Sequence, residues 1–119
     1  MARRKQPPDR ERLRALIEEA TVDCYNEYEQ HTGLLTMIED EVACPFRARV
    51  VGEEVEVLGF EPPAEGFGLK AVCRRRGKKY KVDVSALEWV EPHPAGFEWL
   101  QAYLMWRHGM DEAGADEGE

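Results

Sequence analysis

The chain has 119 residues, 43% of them apolar, and a formal net charge of -8. That length supports one modest core without disulfides or a structural metal. No apolar run reaches the roughly eighteen residues of a membrane span, and the start, Met1-Ala2-Arg3-Arg4-Lys5-Gln6-Pro7-Pro8, is basic with no hydrophobic segment behind it, so neither spanning nor export is expected. Cys24, Cys44 and Cys73 are odd in number and widely spaced in apolar surroundings, which predicts buried free thiols and a cytoplasmic address.

Charge is segregated along the chain. Residues 1–14 carry six basic and two acidic groups, and residues 18–65 carry two basic and thirteen acidic. Residues 66–81 then hold seven basic groups and no acid, and residues 82–119 one arginine against nine acids. An acidic surface concentrates cations, whereas nucleic-acid binders are usually basic overall.

After a flexible basic segment 1–8, Asp9 is placed to cap a helix running to about His31, with Leu13, Leu16, Ile17, Ala20, Cys24 and Tyr28 on one stripe. Thr32-Gly33 is read as the break, followed by a shorter helix on Leu34, Leu35, Ile38 and Val42 that ends by Cys44, because Pro45 pushes the residue before it out of the α region. From Phe46 the apolar residues alternate instead. The spacing predicts strands at 46–51, 54–59, 69–74, 79–84 and 88–90, with a tight hairpin at Arg75-Arg76-Gly77, a proline-stiffened loop at 61–66 and one 3₁₀ turn at Ser85-Ala86-Leu87. Pro92 and Pro94 start a linker to a helix at 95–108 that carries Phe97, Trp99, Leu100, Tyr103, Leu104 and Trp106 and stops at Gly109. Residues 110–119 read as a disordered acidic tail.

These elements predict an α+β chain with a single domain over 9–109: helices in 9–43, a small SH3-like antiparallel β-barrel or half-barrel over 46–90, and the C-terminal helix. A flat sheet covered by helices is the alternative.

No catalytic constellation is visible. Ser85 is the only serine and lacks a G-x-S-x-G frame, and His31, His93 and His108 show no paired metal spacing, which favours structural or solvated histidines. No phosphate-binding glycine loop precedes a helix, so a non-enzymatic role is expected. What remains is clustered carboxylate: Glu39-Asp40-Glu41, Glu53-Glu54-Val55-Glu56, Glu61 with Glu65, and Glu88 with Glu91. Calcium takes six to eight oxygens from carboxylates, carbonyls and waters in irregular geometry, and no EF-hand loop is present to supply them.

Three stretches carry a resemblance. They are Ile38-Glu39-Asp40 leading into Pro45-Phe46-Arg47-Ala48, then Val51-Gly52-Glu53-Glu54-Val55-Glu56-Val57-Leu58-Gly59-Phe60, then Ser85-Ala86-Leu87-Glu88, followed by a tryptophan-bearing helix. In order and spacing over about residues 34–106 the chain resembles a family of small bacterial, non-EF-hand calcium-binding proteins of the cyanobacterial calcium-sequestering type. The resemblance implies an SH3-like β unit with flanking helices, Ca2+ as the bound ion, and a buffering or sensing role. It matches Glu39 and Asp40 to the family's helix-end acids, Glu54 to its hairpin acid and Glu88 to the acid that closes the β segment. Glu53 stands where the family has an aspartate, and Pro92, His93 and Pro94 leave only Glu91 where further acids follow. The expected site is therefore the meeting of Glu39 and Asp40 with loops carrying Glu54, Glu61, Glu88 or Glu91.

A different class of function attaches to the basic hairpin. Arg74, Arg75, Arg76, Lys78, Lys79 and Tyr80 offer cations and an aromatic to a nucleic acid or an acidic protein. The overall acidity weighs against nucleic acid. A patch of this sign also complements the acid clusters of another copy, giving salt-sensitive dimers.

Overall fold

The computed structural model describes residues 10–64 and 66–116. Two helices, α1 (Arg10–Ala20) and α2 (Glu27–Glu41), precede the strands β1 (Phe46–Val50), β2 (Glu53–Glu61), β3 (Lys70–Arg75) and β4 (Lys78–Asp83). A 3₁₀ turn (Val84–Ala86), a short β5 (Glu88–Trp89) and α3 (Phe97–Asp116) complete the order. The basic segment 1–8, the cap assigned to Asp9 and positions 117–119 of the acidic tail lie outside the described residues.

The first helical break is not where glycine suggested. Residues 21–26 form the break, and Thr32 and Gly33 lie inside α2. Asn26 is extended (φ -145°, ψ 175°) and its side-chain oxygen accepts the Glu29 amide at 2.8 Å, while the Glu29 carboxylate accepts the Tyr25 amide at 2.7 Å. This reciprocal capping starts a new helix in Asn26-Glu27-Tyr28-Glu29. Gly33 serves packing instead: a Cβ there would lie 2.4 Å from the Ala20 carbonyl oxygen. The single stripe through Cys24 and Tyr28 is thereby corrected, and Tyr28 is 66% exposed.

β1 to β4 form a meander and β5 returns beside β1, so the antiparallel order is β4-β3-β2-β1-β5. The sheet does not close into the expected barrel. β5 makes only two ladder pairs, Ala48 with Trp89 and Arg49 with Glu88, and β4 remains the other edge. Lysines 78, 79 and 81 on that edge discourage further pairing. Arg76 and Gly77 take φ of 54° and 79°, the left-handed pair that a two-residue hairpin needs.

One buried cluster joins the layers: Leu13 and Leu16 of α1, Leu34, Leu35 and Ile38 of α2, Val55 and Val57 of β2, Ala71 and Cys73 of β3, and Leu100, Ala102, Tyr103 and Trp106 of α3. α3 packs against both other helices, with Arg12 and Glu98 paired at 3.0 Å between α1 and α3. Its helix runs through Gly109, the expected stop, to Asp116. An interior glycine costs a helix only about 1 kcal/mol relative to alanine, which is not enough to end it.

Candidate metal centre

The last turn of α2 carries Glu39, Asp40 and Glu41, all exposed, and no basic residue. Val42 donates to the Ile38 carbonyl at 3.0 Å and then leaves the helix in an extended conformation (φ -88°, ψ 120°). Helix ends leave their final carbonyls without intrahelical donors and carry about half a negative charge. Acids placed there repel that charge, so this turn gathers oxygen donors at an electrostatic cost that a cation relieves.

The Ala43 amide donates to the Ala95 carbonyl at 2.9 Å, laying the connection between β5 and α3 against this turn. Gly96 makes the approach possible, since it has φ of 81° and a Cβ would meet the Glu41 carbonyl oxygen at 2.0 Å. Glu91 lies on this connection, which is fixed by aromatic contacts: His93 stacks on Phe97 at 4.0 Å and Trp89 meets Phe97 edge-on at 5.1 Å. On its other side, Glu39 borders a groove shared with Tyr28, Leu35, Thr36, Pro62 and Pro63.

The other expected ligands are placed elsewhere. Glu54 and Glu61 belong to the opposite ends of β2, about 23 Å apart along an extended strand. Glu54 pairs with Arg47 at 3.3 Å and Glu61 with Lys81 at 2.8 Å. Glu88 accepts the Gly52 amide at 3.3 Å, and Arg49 stands between Glu54 and Glu88 in the cross-strand register. Among the described residues, no three His, Cys, Asp or Glu side chains converge on a point that could hold a metal ion.

The basic hairpin is partly neutralised from within. Arg74 pairs with Glu56 at 2.7 Å and Arg75 with Glu53, while Tyr80, opposite Cys73, is half-buried and packs against the core rather than offering a free ring. Arg76, Lys78 and Lys79 are exposed.

A polar cluster that the sequence reading left unassembled holds the loop before β3. Gly68 and Phe67 carbonyls accept from His31 Nε2 at 3.0 Å and from Tyr103 at 2.8 Å respectively, and Phe67 also accepts from Arg107. His31 is 3% exposed among Phe67, Tyr103 and Trp106, and burial holds its pKa below 6.5. Asp83 accepts from the Ser85 hydroxyl and amide at 2.6 and 2.9 Å. Burial pushes its carboxyl up, but these hydrogen bonds outweigh burial and leave it below the usual range. No sequence spacing marks the meeting of His31 with Tyr103 and Arg107 at the Phe67–Gly68 loop, because α2 and α3 must pack together to bring them there; only the Asp83–Ser85 contact is local.

Residues 14–107 match the model of a calcium-binding family, that of CcbP. The chain belongs to this family. The crystal structure of Anabaena CcbP superposes with a TM-score of 0.71 at 22% identity, covering 89% of this chain and 94% of that one. No curated protein matches. Membership of the CcbP family makes Ca2+ the bound ion, a hard cation that takes carboxylate and carbonyl oxygens. Among the described residues no helix is long and apolar enough to cross a membrane.

Proposed function

We propose that calcium is held at the C-terminal turn of α2 by the carboxylates of Glu39 and Asp40 with helix-end carbonyls and water, and that ion binding draws in Glu91 of the β5–α3 connection, which does not converge with them in this structure, as part of a calcium-buffering role without catalysis. The observation that carries this reading is the run of three acids with no base at the negative end of a helix, held by Ala43 and Gly96 against a second acid-bearing segment. We leave Glu54, Glu61 and Glu88 out of the proposed first coordination sphere, since an arginine, a lysine and a backbone amide respectively compete with the ion for their oxygens.

A site with two or three carboxylates on exposed segments takes its remaining ligands from water. Affinity in calcium sites rises with ligand charge and rigidity, so a dissociation constant on the order of 10⁻⁵ to 10⁻³ M is expected, weaker than that of the tight cytosolic buffer sites. Three free thiols, one of them exposed, support a cytoplasmic location. The meander with its last strand returning beside the first after a 3₁₀ turn supports reading the sheet as an SH3-like half-barrel.

Isothermal titration with calcium and then magnesium, with amide shifts followed in parallel, tests the assignment. Calcium is expected to move the Glu39–Ala43 and Glu91–Gly96 amides and to bind more tightly than magnesium. Equal responses to both ions, with shifts spread over every acid, would reduce the site to diffuse counter-ion attraction.

A further inference from the structure

We propose that the cationic tip of the β3–β4 hairpin docks on the acidic, tyrosine-bearing α1–α2 turn of a second copy of this chain. Each half of this contact is left incomplete within one molecule.

In the hairpin, like charges face each other across the ladder: Arg74 opposite Lys79 and Arg75 opposite Lys78. Such pairs destabilise a sheet. The β2 acids Glu56 and Glu53 engage Arg74 and Arg75. Arg76, Lys78 and Lys79 are exposed and make no ion pair with a described acid. The tip is therefore a compact group of cations facing outward at the end of a two-residue turn.

The complementary surface lies between the first two helices. Val22, Tyr25 and Tyr28 are 77, 92 and 66% exposed, large apolar groups within seven residues of each other. They are flanked by Glu18, Glu19, Asp23, Glu27 and Glu29, all exposed, and no lysine or arginine occurs between Ala15 and Phe46. Tyrosine faces attract guanidinium and ammonium groups, and neighbouring carboxylates fix them. Acids and rings thus suit a partner that is cationic at its tip, which the hairpin of another copy supplies. A polyanion is the competing occupant of the hairpin, but it would have to approach a chain of net charge -8.

Sedimentation velocity of the full chain in EDTA, at about 0.02 M and about 0.5 M salt, tests this. The weight-average mass is expected to rise with protein concentration at low salt and to return to monomer at high salt. Lys78→Glu/Lys79→Glu and, separately, Asp23→Lys/Glu27→Lys should each weaken self-association at least tenfold. Mixing the two variants should restore association, since the acidic hairpin of one then meets the basic turn of the other, and this rescue also shows that both are folded. A chain that stays monomeric at low salt overturns the proposal. So does association that needs calcium, which would be ion bridging, or association indifferent to hairpin reversal. Hairpin-dependent binding of a single-stranded DNA oligonucleotide in place of self-association would assign the cations to nucleic acid.

Discussion

The Ala43 amide and the Ala95 carbonyl, joined at 2.9 Å, tie the end of α2 to the approach to α3 across the 51 intervening residues that hold the sheet. The bond sits where the acidic turn meets the connection carrying Glu91, so it positions the two halves of the proposed calcium site. Gly96 guards it.

Gly96→Ala is accordingly expected to damage stability and calcium binding together. The new Cβ would meet backbone at 2.0 Å, and the residue sits at φ of 81°. Left-handed strain costs about 1–3 kcal/mol and overpacking about 1–3 kcal/mol, so a loss of at least about 2 kcal/mol is expected from chemical denaturation. Gly77→Ala is the control: its φ is 79° but nothing lies within 4 Å of a Cβ, so it should cost only the strain and leave calcium affinity unchanged. Equal calcium affinity in the two variants would separate the α2–α3 junction from the ion site.

Neutralising the helix-end acids should move stability and binding in opposite directions. Glu39→Gln/Asp40→Asn removes repulsion with the helix end, raising the stability of the calcium-free protein by about 0.3–1 kcal/mol per charge. The same change should lower calcium affinity at least tenfold, about 1.4 kcal/mol, and abolish the rise in melting temperature that ligand linkage gives the parent. Melting curves with EDTA and with millimolar calcium read both effects. A variant that loses stability in EDTA but keeps its calcium response would place the ion elsewhere.

Arg49 decides the fate of the hairpin acids. It lies opposite Glu54 on β2 and opposite Glu88 on β5, a cation standing between two of the expected ligands, and Glu54 is also paired with Arg47. Glu54→Gln should therefore leave calcium affinity within about twofold of the parent by titration calorimetry. A tenfold loss would return Glu54 to the coordination sphere and sink the narrower site proposed above.

Strand positions were legible because alternation leaves little choice: Phe46 and Ala48 face the core, Arg47 and Arg49 face out, and a slip of one residue would invert them. The helix-end acids were legible for a related reason, since Pro45 marks where α2 must already have ended. The first break was not, although Asn26 with Glu29 carries the capping signature; the more familiar breaker, Gly33, drew the boundary to itself. Its role depends on Ala20, thirteen residues away, and a contact of that kind has no local mark. Barrel closure failed to show for the same reason, because whether β5 reaches β4 depends on strand length and bend rather than on pattern. Ligand convergence was least legible. Clustered acids in sequence gave no warning that β2 would spread Glu54 and Glu61 to its two ends and give each a basic partner.

Gly33→Ala follows from that contact. Alanine is favoured in a helix by about 1 kcal/mol, but its Cβ would sit 2.4 Å from the Ala20 carbonyl oxygen, a backbone atom that cannot rotate aside. Overpacking of about 1–3 kcal/mol should therefore prevail. The melting temperature is expected to fall by several degrees, and a rise would show that α1 and α2 separate freely.

His31 should make stability depend on pH. Burial holds its folded-state pKa below 6.5, the Gly68 and Phe67 carbonyls act against that, and nearby Arg107 adds to the depression. Above pH 6.5 the ring is neutral in both folded and unfolded chains, and its contribution is complete. Below 6.5 the unfolded chain takes up a proton that the folded one resists, so stability is lost as pH falls toward the folded-state value. Asp83, also depressed, keeps its contribution until pH falls below about 3.8, so the two losses occur in separate windows. His31→Gln retains an N–H donor but cannot titrate, and its melting temperature should change less than that of the parent between about pH 7 and pH 5. His31→Leu leaves the Gly68 carbonyl without its donor and should cost about 1–3 kcal/mol at every pH. Thermal melts of the three proteins across that range make the comparison, and an unchanged slope in His31→Gln would mean that another group carries the acid-side loss.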